Sequence, residues 1–155
     1  MKWELAVSLV VVLVGIQFVP VIQENPPVTS EVPAPEAVRA LLQHACYDCH
    51  SHEVRWPWYS FIAPVSWLVA WDVENARKHL NFSTWDRYSA EKRQEKLEEA
   101  WEEVEEGEMP LWYYLPLHPE ARLSDAEREQ LRAWALAPQG AQQSATPAPA
   151  SSGGE

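Results

Sequence analysis

The pattern of apolar and polar positions divides the chain into four stretches. From Leu5 to Ile22 (LAVSLVVVLVGIQFVPVI) runs an uncharged apolar segment of 18 residues, interrupted only by Ser8, Gln17 and Pro20. That length lies at the short end for a bilayer span and the long end for a signal-peptide core. The residues that follow, QENPPVTSEV, hold no A-x-A cleavage pattern and no lipobox Cys, so residues 1–22 are predicted to be an uncleaved membrane helix. Lys2 precedes the segment and Glu24, Glu31 and Glu36 follow it, which favours a domain on the outer side of the membrane. Residues 23–36 carry four prolines without apolar periodicity and predict a stiff spacer that lifts the domain off the membrane. Residues 138–155 (PQGAQQSATPAPASSGGE) are too poor in large apolar side chains to fold.

Residues 37–137 have helical periodicity throughout. Pro35-Glu36-Ala37 opens a helix with Val38, Leu41, Leu42, Ala45, Cys46 and Cys49 at helical spacing. A second helix is predicted from Pro64 to about Leu80, with Val65, Leu68, Trp71 and Ala76 on one side. A third runs from a Ser89 cap to Glu106 over Leu97, Ala100, Trp101 and Val104, and Gly107 supplies the left-handed stop. The last starts at Ser124, with Glu127 completing a capping box, and turns Leu131, Trp134 and Ala135 inward. No window alternates as a strand does. The predicted fold is all-α, with long loops rich in Pro and aromatics.

Composition sharpens this picture. The stretch from Glu36 to Ala137 holds eight of the nine Trp, all five Tyr and one Gly. Such aromatic density predicts walls around something flat and apolar, although an aromatic core would look the same. The net charge of −11 excludes nucleic acid as a partner and disfavours anionic lipid surfaces for the soluble part. Nine Glu stand against Lys92, Arg93 and Lys96 between Glu91 and Glu108. That run reads as a solvated helix face or as a docking patch for a basic redox partner.

Chemistry concentrates at Cys46-Tyr47-Asp48-Cys49-His50, the C-x-x-C-H pattern of c-type haem attachment. Two thiols three positions apart share one side of a helical turn and can add to two vinyl groups on one porphyrin edge. The adjacent imidazole can then reach the iron. A zinc site would need two more ligands from His44, His52, His79 or His118. A redox dithiol belongs with a βαβ pattern that is lacking, and a plain disulfide leaves His50 unexplained.

For the sixth iron position the sequence offers Met109, the one Met besides Met1, in GEMP after the Gly107 stop. A thioether there raises the reduction potential. Met109 could instead fill a core gap, His118 or His79 could ligate, or the position could stay open. Trp56, Trp58 and Tyr59 are close enough in sequence to wall the pocket or bond a propionate. Arg55 or Arg77 could pair with one. His44 and His52 are expected to face solvent.

The runs CYDCHSHEVRWPWYSFIAPVSWLVAWDV, HLNFSTW and GEMPLWYYLPLHPEARLS resemble the small bacterial haem-binding domain family related to cytochromes c. The resemblance covers roughly Val38 to Trp134. It implies a cytochrome c-like fold, covalent haem c through Cys46 and Cys49, and iron held by His50 and, through the M-P pair, Met109. The expected function is a membrane-tethered monohaem electron carrier in the periplasm or cell-envelope space. It is not expected to be an enzyme or to take a small-molecule substrate, and its partner would be a redox protein. The alternative is a haem-based sensor with an open sixth position.

Overall fold

The computed structural model describes residues 2–138; the predicted tail falls almost wholly outside that range. Six α-helices follow one another: α1 Lys2–Gly15, α2 Glu36–Ala45, α3 Tyr47–His50, α4 Val65–His79, α5 Ala90–Glu106 and α6 Asp125–Ala135. Short 3-10 turns sit at Ile16–Phe18, Trp58–Phe61, Trp85–Arg87 and Pro119–Ala121. Among the described residues the one β-type pairing is an isolated bridge between Ser30 and Thr84. The fold is all-helical, as predicted.

The caps form where the sequence put them. The Ser89 hydroxyl accepts from the Lys92 amide, and Ser124 and Glu127 make a reciprocal capping box at α6. Gly107 takes φ 81° and ends α5, which only a residue without Cβ does at low cost. The core packs α2 (Val38, Leu41, Leu42), α5 (Leu97, Trp101, Val104) and α6 (Leu131, Trp134, Ala135) around the rings of Tyr47, Phe82 and Trp85. Tyr47 stacks on Phe82 and Phe82 on Trp85, with centroids 5.6 and 6.3 Å apart.

Two expectations are corrected. First, the apolar segment is not one long helix. Helix α1 stops at Gly15, a 3-10 turn carries the chain to Phe18, and Val19 is extended. At 1.5 Å per residue α1 spans about 21 Å, and no helix of the described residues is long and apolar enough to cross a membrane. Gln17 is the physical reason. Its side-chain amide donates to the carbonyls of Leu13 and Ala63 and accepts from the Ala63 amide, locking the segment to the domain.

Second, residues 23–36 are not a free spacer but lie along the domain. Gln23 donates to the Ser60 carbonyl at 2.5 Å, and the Asn25 side chain both donates to and accepts from the Val54 backbone. Val32 and Ala34 are buried in the core, and Trp134 donates to the Pro33 carbonyl. Prolines hold this segment extended, and an extended strand of backbone needs partners outside itself.

Helix α4 leaves Val65, Leu68 and Trp71 exposed and turns Ser66 and Val73 inward.

Candidate haem site

A cavity of about 630 Å³ opens between the C-x-x-C-H turn, α4, α5 and the loop after Gly107. Its size lies within the range of small-molecule and cofactor pockets, about 300–1,000 Å³. Cys46, Cys49 and His50 all line it, and so do Met109, Leu97 and Ala100.

The local backbone explains the clustering. Helix α2 breaks at Cys46, whose φ of −124° is not helical, and α3 restarts at Tyr47. Cys46 keeps the last α2 bond, its amide to the Leu42 carbonyl, while its own carbonyl accepts from the amides of Cys49 and His50. This one-turn helix puts both sulfurs and the imidazole against the same space. Both thiols are free, and burial pushes each up to about 12, so they are uncharged.

His50 is oriented by the segment after α4. Its Nδ1 lies 3.0 Å from the Leu80 carbonyl oxygen. A carbonyl only accepts, so Nδ1 carries the proton and Nε2 keeps the lone pair. That is how a metal-bound histidine is commonly fixed in one tautomer. Burial lowers the imidazole pKa, against a partial rise from the carbonyls of Leu80 and Ala76, which favours the neutral ligating form. The Phe82 amide in turn donates to the His50 carbonyl at 2.8 Å. The strap is itself anchored: the His52 amide donates to Ser83 Oγ, the Ser83 amide to Asn81 Oδ1, and Asn81 Nδ2 lies 2.9 Å from His52 Nε2.

Met109 is brought to the cavity by the stop at Gly107. The amides of Glu108 and Met109 both turn back onto the Glu103 carbonyl, at 2.9 and 3.0 Å. Its side chain lines the cavity and packs against the core.

Other predicted residues are placed elsewhere. Trp56 lines neither this cavity nor a smaller one of about 300 Å³, and Tyr59 lines only the smaller. Neither Trp56 nor Tyr59 therefore reaches the main cavity, and Trp58 is exposed. Both ring nitrogens of His118 are engaged, Nε2 by the Tyr59 hydroxyl at 2.6 Å and Nδ1 by Glu120 at 3.1 Å. The ring also stacks flat on Tyr114, 3.9 Å away. His79 does line the cavity, at the end of α4.

Arg55 is spent on Asp48, to which its backbone amide, Nε and Nη2 all donate. Arg77 donates to the carbonyls of Ser51 and Glu24. Neither arginine lines the cavity. His52 is half-buried with both ring nitrogens within bonding distance of partners, rather than facing solvent, and His44 lies 3.7 Å from Glu127. Among the described residues no three His, Cys, Asp or Glu side chains are grouped as a metal cage.

Sequence reasoning missed the strap from Leu80 to Thr84 and the role of Asp48. Asp48 joins Arg55 to the Tyr114 hydroxyl at 3.0 Å and so ties the C-x-x-C-H turn to the loop after Met109. The strap lies in HLNFSTW, whose Asn, Ser and Thr in an apolar context were the available signal.

A helical domain with a largely apolar cavity lined by one tautomer-fixed imidazole, a thioether and two neutral thiols fits haem: the donors are those that iron porphyrins take, and the cavity is large enough. The comparison with known families agrees. The model of the haem-binding domain family matches residues 11–137, and the chain belongs to that family. No curated protein and no solved structure matches the chain.

Proposed function

We propose that this haem-binding domain is a monohaem c-type cytochrome that carries single electrons at a membrane. The observation that carries this reading is the position of Cys46, Cys49 and His50 side by side on one cavity wall, with Nδ1 of His50 held by Leu80. The cofactor supplies the one-electron redox couple. The chain's own residues attach it, orient it and exclude water.

The two thiols would be the attachment points, as thioethers. His50 Nε2 would ligate the iron, and Met109 Sδ would be its second ligand. The choice of Met109 rests on its cavity-lining position and on the commitment of both His118 nitrogens. Met/His ligation raises the potential. The chain is not an enzyme in this reading and takes no small-molecule substrate.

Helix α1 is apolar all round and exposed on every side, the pattern of a helix covered by lipid. In this reading α1 holds the protein at the membrane with the domain outside the cytoplasm, where c-type haem is attached.

Purified protein denatured and extracted with acidified organic solvent is expected to keep its haem on a haem-stained gel. Cys46→Ala with Cys49→Ala should release the colour to the solvent. Haem lost from the wild-type chain in the extraction rules out covalent attachment.

A further inference from the structure

The acidity of this chain is unevenly spread. With a net charge of −11, it nevertheless has no charged residue from Trp56 to Trp71 or from Met109 to Leu117. The two uncharged runs meet in the fold. The second cavity is walled by Tyr59, Val65 and Leu68 from the first and by Leu111, Tyr113 and Leu117 from the second. Around that cavity the large side chains point outward: Trp58 is 72% exposed, Phe61 64%, Leu68 46% and Trp112 79%. They surround the second cavity with exposed apolar side chains, Trp58 and Trp112 among them, whereas Trp71 lines the haem cavity. Single exposed apolar residues are ordinary, whereas a patch of this kind marks a contact surface.

The chain also indicates what covers it. Gln17 ties the end of the apolar N-terminal segment to both backbone groups of Ala63, which lies between Ile62 and Pro64 within the first uncharged run. The side-chain amide of Gln23 then reaches Ser60, so no free spacer separates α1 from this face. Exposed apolar residues therefore lie on both sides of this contact, from Leu5 to Phe18 and at Ile62, Val65 and Leu68.

We propose that this face, made by the 58–61 turn, the outer side of α4 and the 111–117 loop, rests in the interfacial region of the bilayer that α1 enters. The proposal rests on the reading that α1 is in lipid. Tryptophans at headgroup depth are favoured because the ring is apolar while its N–H stays wet. The partner surface is zwitterionic, because a chain of this net charge is repelled by anionic headgroups. One consequence concerns the cofactor: the second cavity shares Cys49, Asp72, Leu111 and Tyr113 with the haem cavity, so docking turns the Cys49 side of the haem site toward the membrane.

The test uses the full haem-loaded chain in phosphatidylcholine nanodiscs. The photo-reactive residue p-benzoylphenylalanine replaces Val10, Trp58, Leu68, Trp112 or Glu98, one at a time. All five positions are exposed, and the haem absorbance of each variant reports folding. After irradiation, lipid adducts are read by intact mass. Yields at positions 58, 68 and 112 are expected within about threefold of that at 10 and at least about tenfold above that at 98. Adducts at 10 with none at 58, 68 and 112 overturn the docked face and leave the α1 reading standing. Adducts at the three patch positions without any at 10 support the face and overturn the α1 reading. Cross-links between two protein chains at the patch overturn the proposal in favour of a second copy.

Discussion

At the residue scale the site turns on atoms whose partners are already assigned. His118 is the sharpest case. Its two nitrogens and its ring face are held by Glu120, Tyr59 and Tyr114, so His118→Ala is expected to leave the haem absorbance spectrum unchanged. Met109→Ala is expected to remove the weak far-red sulfur-to-iron band of the oxidised protein, open the reduced protein to carbon monoxide and lower the potential. Haem attachment persists in that variant, because Cys46, Cys49 and His50 are untouched. Carbon monoxide binding by the unaltered chain would favour the sensor reading instead. Ser51 works by structure alone: fully buried, it donates to the Tyr47 carbonyl and accepts from the Glu53 amide. Ser51→Ala leaves both groups short of a partner and should cost about 1–3 kcal/mol, read from urea denaturation.

At the element scale the helix ends decide where chemistry can stand. The break at Cys46 shortens α3 to one turn, and Gly107 bends the chain so that Met109 returns to the Glu103 carbonyl. Gly107→Ala keeps a helix former but forces a Cβ into the left-handed region, at about 1–2 kcal/mol. Nothing lies within 4 Å of the added Cβ, so the cost is backbone strain and not a clash. The variant should lose that stability in thermal melts and weaken the far-red band through the displaced Met109 loop. Ser124→Ala at the head of α6 should cost about 1 kcal/mol, with no spectral change, since that cap lies outside the cavity.

At the scale of the whole molecule, charge controls encounter. The net of −11 and the nine Glu of the 91–108 stretch predict faster reaction of the reduced protein with cationic oxidants. Stopped-flow rates with hexaammineruthenium(III) should fall as ionic strength rises from about 0.01 to 0.15 M, and rates with hexacyanoferrate(III) should rise. Equal salt dependence for both oxidants would remove the acidic patch as a steering surface.

The sequence by itself determined the local features. Caps at Ser89 and Ser124, the stop at Gly107 and the apolar faces of α2, α5 and α6 follow from side-chain chemistry acting within one or two turns. The C-x-x-C-H spacing likewise identified one wall of the cavity, because three residues in one turn share a side wherever the turn is placed. Tertiary structure decided what depends on groups distant along the chain. The Leu80 carbonyl that fixes His50 lies 30 residues away, and the Ala63 backbone that ends the apolar segment lies 46 residues from Gln17. Periodicity could not warn that α4 exposes Val65, Leu68 and Trp71, since a pattern gives a helix an apolar side without saying what covers it. The proline-rich segment escaped for a related reason. Its backbone is unpaired locally, and only the packed domain offers it Ser60, Val54 and Ser83 as partners.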